Sequence, residues 1–253
     1  MTSDAPLKSK VVPAPFAWRA ACKTDVGKVR TLNEDAVLDR GDIGLWAVAD
    51  GMGGHSAGDL ASRKVVDSLQ RLPTQETLAD LIDAVDDSLW AANQWLFTHA
   101  EAKKIVCGCT IAALTLAGAH GVVIWAGDSR VYRLRSGQLL QLTTDHSQVE
   151  ELVQSGQLLR HYAEMHPAAN IVTRAVGVTP SLTLEMAAFE LQHNDRFLVC
   201  SDGLNKHLQH SRIADLLISS RSCEEAVEWL VNATLDSGAH DNVTVCVVDV
   251  DRV

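Results

Sequence analysis

Short apolar runs of β-strand composition recur along the chain, and several are bounded by Gly, Asp or Asn, as strands commonly are. Between two such runs, Arg135-Ser136-Gly137-Gln138 predicts a hairpin turn. The runs predict strands at Phe16–Cys22, Leu45–Ala49, Thr110–Leu116, Val122–Ala126, Val131–Leu134, Leu182–Met186, Phe197–Cys200 and Val243–Val248.

Apolar residues at helical spacing predict helices in three further segments, 60–69, 78–96 and 226–234. The predicted order is a set of strands, two helices, more strands, a C-terminal pair of helices that includes 226–234, and a last strand. Strands and helices therefore do not alternate as they do in parallel α/β folds. We expect an α+β fold with antiparallel sheets covered by helices.

The composition is that of an ordinary folded protein of 253 residues, with 47% apolar and 21% charged residues. Residues 1–15, rich in Pro, Lys and Ser, predict a flexible tail, and residues 16–253 predict one domain. The formal net charge of −10 disfavours binding to nucleic acid or to anionic membranes. No apolar run approaches the roughly 18–20 residues of a membrane helix.

Six cysteines in so long a chain do not form a disulfide framework, and we expect all six to be reduced thiols in the cytoplasm. Cys22, Cys200 and Cys246 lie in apolar runs and are interpreted as small buried side chains. Cys107 and Cys109 have no second pair of cysteines, which argues against a zinc site.

Carboxylates cluster at the ends of the predicted strands. If these ends meet at one rim, the carboxylates would repel one another unless divalent cations bind, and oxygen ligands favour Mg²⁺ or Mn²⁺. A glycine beside the carboxylate lets the backbone approach an ion closely. The alternative is that each Asp-Gly pair only marks a turn. The four strand ends carry Asp50-Gly51, Gly127-Asp128, Asp202-Gly203 and Asp241-Asn242.

A further acidic group, Asn33-Glu34-Asp35, follows Arg30. Arg30 could form a surface salt bridge, or its guanidinium could clamp a phosphate with paired donors. The Gly-rich turn at Gly51-Met52-Gly53-Gly54-His55 lacks the Lys and Ser/Thr of a P-loop and the spacing of a dinucleotide motif.

Taken together in order and spacing, eight motifs resemble the bacterial branch of the metal-dependent serine/threonine protein phosphatases, the type-2C or PPM family. The resemblance covers roughly residues 17–250. The motifs are Arg30-x-x-Asn33-Glu34-Asp35, Val48-Ala49-Asp50-Gly51-Met52-Gly53-Gly54-His55-Ser56-Ala57-Gly58, Gly108-Cys109-Thr110, Gly127-Asp128-Ser129-Arg130-Val131-Tyr132, Leu142-Thr143-Thr144-Asp145-His146-Ser147, Thr173-Arg174-Ala175-Val176-Gly177, Cys200-Ser201-Asp202-Gly203-Leu204 and Asp241-Asn242-Val243-Thr244.

The resemblance implies a four-layer α-β-β-α sandwich with two mainly antiparallel sheets, and a centre of two Mn²⁺ or Mg²⁺ ions at one edge. It implies that Asp50 bridges both ions and that the Gly51 carbonyl binds one of them. Asp202 and Asp241 would bind the other ion. A third, weaker ion would lie between Asp128 and Asp202.

Other roles follow from the same resemblance. Glu34 and Asp35 would act mostly through bound waters, and Arg30 would hold the substrate phosphate. Many animal and plant members have a histidine as general acid where this chain has Met52, so His55 either substitutes as the acid or only organises the loop. Residues 147–171 correspond to a mobile flap beside the cleft.

The predicted function is hydrolysis of phosphoserine and phosphothreonine in proteins by water activated at the metal centre, opposing a serine/threonine kinase. The predicted partners are phosphorylated proteins, including such a kinase or its targets, and we expect a cytoplasmic monomer. The alternatives are a catalytically silent phosphoprotein-binding regulator and a phosphohydrolase of small molecules. The one Cys-x5-Arg spacing, Cys246 to Arg252, begins inside a predicted strand and contains no glycine, so it is not a phosphate loop, which argues against a cysteine-dependent tyrosine phosphatase.

Overall fold

The computed structural model describes residues 16–53, 57–163 and 165–253. The tail predicted at 1–15 therefore lies outside the described residues. The strands are β1 (Phe16–Asp25), β2 (Asp35–Arg40), β3 (Leu45–Met52), β4 (Gly108–Cys109), β5 (Ile111–Ala117), β6 (His120–Ala126), β7 (Arg130–Arg135), β8 (Gln138–Gln141), β9 (Glu185–Glu190), β10 (Arg196–Cys200) and β11 (Val243–Arg252). The α-helices are α1 (Ala57–Gln70), α2 (Leu78–Lys103), α3 (Gln148–Gln154), α4 (Asp202–Asn205), α5 (His210–Ser219) and α6 (Cys223–Asp236), with a 3₁₀ turn at Arg160–Tyr162.

The strands form two antiparallel sheets. The first has the order β1-β11-β10-β7-β8, and the second has the order β2-β3-β5-β6-β9 with the short β4 pairing with β3. The predicted hairpin is present, because β7 and β8 pair across the turn and Arg135 lies opposite Gln138. The α+β class predicted from the sequence is confirmed.

Three apolar layers hold the sheets and helices together. Along β3, Leu45, Ala47 and Ala49 pack toward the helices α1 and α2, whereas Trp46 and Val48 pack in the layer between the sheets. A third layer lies between the first sheet and the helices α4, α5 and α6. A strand buried on both faces needs apolar residues at every position, which explains why β3 is a continuous apolar run.

The longest helix is defined at both ends by its own sequence. Thr77 caps the N-terminus of α2 in a capping box. Its hydroxyl accepts a hydrogen bond from the Asp80 backbone N–H, and the Asp80 carboxylate accepts one from the Thr77 backbone N–H. At the other end Lys104 adopts a left-handed conformation. Among the described residues, none of the helices is both long and apolar enough to span a bilayer.

The structure corrects two predictions. The strand predicted at Leu182–Met186 instead runs from Glu185 to Glu190, because Leu182 and Leu184 pack on the helix-facing core before the strand begins. The expectation of six reduced cysteines is also wrong, because Cys22 and Cys246 form a disulfide. These two cysteines lie directly opposite each other on β1 and β11.

Candidate active site

The predicted site residues converge on one cavity of about 350 Å³ at the ends of the strands. A larger hollow of about 800 Å³ beside α5 and α6 is lined by none of them. Met52 lines the smaller cavity, and so do Asn170, at the end of the predicted flap, and Val172. The predicted site residues that line the smaller cavity are Arg30, Glu34, Asp50, Gly51, Asp128, Asp202 and Asp241.

Asp50 lies near the end of β3, opposite Asp35 at the start of β2. The next residue, Gly51, donates its backbone N–H to the Glu34 carbonyl at 3.1 Å. A Cβ on Gly51 would lie 2.2 Å from the Gly58 carbonyl oxygen, so only glycine fits this close backbone approach. Packing therefore requires the glycine of this Asp-Gly pair.

Asp35 is buried beneath the cavity and does not line it. Its Oδ2 accepts hydrogen bonds from the Ser201 hydroxyl at 2.8 Å and the Thr244 hydroxyl at 2.7 Å. Ser201 also accepts a bond from the Thr244 backbone N–H at 3.0 Å. Asp35 thus connects the two sheets below Asp50.

Asp128 is held in a buried turn between β6 and β7. The neighbouring Gly127 donates its N–H to His146 Nδ1 at 3.1 Å, and the His146 N–H donates back to the Gly127 carbonyl at 2.9 Å. The Thr110 and Ser129 hydroxyls are 2.7 Å apart, and the Asp50 N–H donates to the Thr110 hydroxyl at 3.2 Å. Thr110 therefore couples the Asp128 turn to the end of β3.

Asn242 is a site residue that the sequence analysis quoted in a motif without assigning it a role. Its Oδ1 accepts from the Glu34 N–H at 2.8 Å, and its Nδ2 donates to the carbonyls of Val26 at 2.9 Å and Leu32 at 3.0 Å. It thus holds the loop carrying Glu34 beside Asp241. A Cβ on Gly203 would lie 1.8 Å from the Asn242 carbonyl oxygen.

Two basic side chains neutralise part of the acidic cavity. Arg30 Nε lies 3.0 Å from Asp241 Oδ1, and its Nη2 donates to Asp241 Oδ2 at 3.0 Å. Lys206 forms a salt bridge with Asp202 from four residues further along the chain. No sequence motif points to Lys206, although its position one helical turn after Asp202 is a signal that the sequence contains.

The remaining carboxylates have elevated pKa values. Burial raises the pKa of Asp50 well above its usual range, and repulsion from Asp35 and Asp202 adds to this. Burial also raises the pKa of Asp35 to about 7, although its two hydroxyl bonds oppose the shift. The pKa of Asp128 is raised to about 7 by burial and by Asp202 and Asp145, while the Lys206 charge opposes the increase.

These residues fit divalent cations by the chemistry of their donors. Carboxylates forced together in a buried place take up protons or cations, and an all-oxygen set selects Mg²⁺ or Mn²⁺. Within the described ranges, no three His, Cys, Asp or Glu side chains already form a ready-made ion site. Arg30 and Lys206 occupy oxygens of Asp241 and Asp202, so an ion would share or replace these contacts.

The family model for protein phosphatase 2C matches residues 28–237. The chain belongs to the protein phosphatase 2C family. It is 37% identical over 237 residues to the serine/threonine protein phosphatase PstP of Mycobacterium tuberculosis, covering 92% of this chain and 45% of PstP. The chain thus spans less than half of the length of that relative. It is 35% identical to the serine/threonine phosphatase stp of Listeria welshimeri, covering 91% of this chain and 95% of that protein.

Solved structures of similar proteins agree with this assignment. PppA, described as a key regulatory component of the T6SS in Pseudomonas aeruginosa, has a TM-score of 0.86 and 43% identity, covering 92% of this chain and 97% of PppA. The PstP catalytic domain in complex with two manganese ions has a TM-score of 0.84 and 33% identity, covering 93% of this chain and 99% of that domain. The predicted family and four-layer sandwich are confirmed.

One candidate for the phosphatase 2C reaction, His55, lies outside the described residues. The flap predicted at 147–171 contains α3, whose cap Ser147 bridges to Val172. The Gln148 N–H also donates to the Ile171 carbonyl at 2.9 Å, which ties the two ends of this segment together.

Proposed function

We propose that this chain hydrolyses phosphoserine and phosphothreonine in proteins, using two divalent cations held in the acidic cavity. The observation that carries the proposal is the convergence of Asp50, Asp202 and Asp241 with Arg30 on one cavity. The manganese ions of the PstP structure, at 33% identity, support the same chemistry here. A catalytically silent regulator would not need these carboxylates.

In this proposal Asp50 would help to hold both ions, with the Gly51 carbonyl as a ligand for one and Asp202 and Asp241 as ligands for the other. When bound, two such ions supply hydroxide near neutral pH and neutralise charge on the phosphoryl oxygens. Glu34 and Asp35 would act mostly through bound waters, Glu34 from the cavity lining and Asp35 from beneath it. The buried Asp35 orders Ser201, which directly precedes Asp202.

Arg30 is proposed to orient the substrate phosphate. Its side chain is half exposed and forms a salt bridge with Asp241, and it lines the cavity, so the guanidinium is within reach of the cavity mouth. An ion at Asp241 would compete for the same carboxylate oxygens and leave the planar donors of Arg30 available to a phosphate. His55 remains a candidate for protonating the leaving oxygen.

The proposed partners are phosphorylated proteins, among them a serine/threonine kinase or the targets of such a kinase. We further propose that the protein acts as a monomer in the cytoplasm and that either Mn²⁺ or Mg²⁺ supports it. The net charge of −10 disfavours nucleic-acid and anionic-membrane partners.

The test compares substrate classes. The purified chain with Mn²⁺ should release phosphate from phosphothreonine and phosphoserine peptides with a higher kcat/KM than from sugar phosphates or nucleotides. Preference for a small phosphate ester would support a metabolite phosphohydrolase on the same fold. Binding of phosphopeptides without turnover would support the silent regulator.

A further inference from the structure

Lys206 is a cation built into the acidic cavity, and the Mn²⁺-dependent function proposed above does not use it. It lines the cavity together with Asp128 and Asp202. Its backbone N–H donates to the Asp202 carbonyl at 2.9 Å, which places the two side chains one helical turn apart. An acidic residue four positions before a lysine is the favourable order for such a pair.

The setting of Lys206 differs from that of Arg30. The Lys206 side chain is 33% exposed and that of its partner Asp202 is 11% exposed, whereas the Arg30 side chain is 50% exposed. Lys206 and Asp202 also lie within one helical turn of each other, whereas Arg30 and Asp241 are 211 positions apart in the sequence. Lys206 is therefore the more firmly held of the two cations.

We propose that the Lys206 ammonium is a resident cation of the cavity and replaces a third divalent ion at Asp202 and Asp128. The inference rests on the proposed two-ion function. Lys206 contacts Oδ2 of Asp202. A carboxylate has two oxygens, so Asp202 can hold one divalent ion and the ammonium together. A further divalent ion there would face the ammonium charge.

The size of the effect follows from charge repulsion. An ammonium and a divalent ion a few ångströms apart repel enough to weaken binding of the ion by roughly tenfold or more, even at the dielectric constant of water. Removing the ammonium should therefore expose a binding place that the native chain lacks. The carboxylates of Asp202 and Asp128 would then hold an additional ion.

The experiment counts bound Mn²⁺ by the electron paramagnetic resonance signal of the free ion, which does not depend on turnover. The native chain should bind two ions, and Lys206→Gln should bind a third. Lys206→Met provides a second neutral variant of similar length, and Lys206→Arg should keep the native count. The matched control is Arg63→Gln, which removes the basic partner of Asp59 in another salt bridge spaced four residues apart.

A double variant locates the added ion. Lys206→Gln combined with Asp128→Asn should return to two ions, because one of the two carboxylates has lost its charge. Three ions on the native chain, or two on both neutral Lys206 variants with native-like circular dichroism, would overturn the inference. Either result leaves the proposed function intact, whereas a native chain that binds no Mn²⁺ refutes both.

Discussion

Asn242 provides a quantitative test of how the acidic site is built. Its side chain makes three hydrogen bonds to backbone groups of the loop that carries Glu34, and the residue is 5% exposed. Each such bond contributes about 1 kcal/mol, so Asn242→Ala should lower the free energy of unfolding by about 3 kcal/mol. The loss arises from three backbone groups left without partners.

Replacing Asn242 should also weaken ion binding, which replacing a buried amide elsewhere in the fold should not do. Asn242 positions the Glu34 backbone and adjoins Asp241, so its loss loosens two cavity carboxylates. Residues that orient metal ligands typically affect metal affinity by about 10–100-fold. We expect Asn242→Ala to weaken Mn²⁺ binding within this range.

Asn93 is the matched control. It is also buried, accepts from the Gly177 N–H at 2.6 Å and donates to the Thr179 carbonyl at 3.0 Å, and does not line the cavity. Asn93→Ala should cost about 2 kcal/mol by the same reasoning. Its Mn²⁺ affinity should remain native.

The assay is urea unfolding followed by tryptophan fluorescence, combined with calorimetric titration of Mn²⁺ into the folded variants. The reasoning is refuted if Asn242→Ala unfolds within about 0.5 kcal/mol of the native chain, a change typical of neutral surface substitutions. It is refuted equally if both variants lose Mn²⁺ affinity to the same extent.

Three other perturbations test separate parts of the account. Arg30→Ala should mainly raise KM for a phosphopeptide without weakening Mn²⁺ binding, because Arg30 competes with the ion for Asp241; unchanged kinetics with a lowered Tm would make Arg30 a structural partner of Asp241. Gly203→Ala should destabilise the fold by about 1–3 kcal/mol through overpacking, whereas Gly41→Ala, with ordinary 3.4 Å contacts, should be nearly neutral by urea unfolding. Burial raises the pKa of Asp35 and Asp128 to about 7, from about 4 in an unfolded chain. Between about pH 4 and pH 7 the folded metal-free protein therefore binds more protons than the unfolded chain. In chelator its unfolding free energy should therefore fall as pH rises from about 4 to about 7, and Mn²⁺ should reverse the fall; a flat profile in chelator contradicts this.

The central strands could be predicted from the sequence because burial on both faces makes them continuous apolar runs. The edge strand β2 (Asp35–Arg40) could not, since an edge position has fewer apolar neighbours and tolerates its charged residues. The Cys22–Cys246 pairing was also missed, because it joins residues 224 positions apart and depends on the register of β1 and β11.

Some residues of the candidate site could likewise be predicted from the sequence, and others could not. Asp50, Asp202 and Asp241 could be proposed from the sequence because each lies next to an apolar strand. The role of Asn242 depends on contacts with residues at least 208 positions away, which no local pattern encodes. Lys206 is close to Asp202 in sequence, but its importance depends on Asp128 lining the same cavity.

The most direct test of the account is phosphate release from a phosphothreonine peptide by the native chain before chelation, after chelation and after Mn²⁺ is restored. We expect chelation to abolish activity and Mn²⁺ to restore it, while Asp50→Asn stays inactive throughout and keeps its fold. Full activity after exhaustive chelation, or a fully active Asp50→Asn variant, would contradict a two-ion centre built on Asp50.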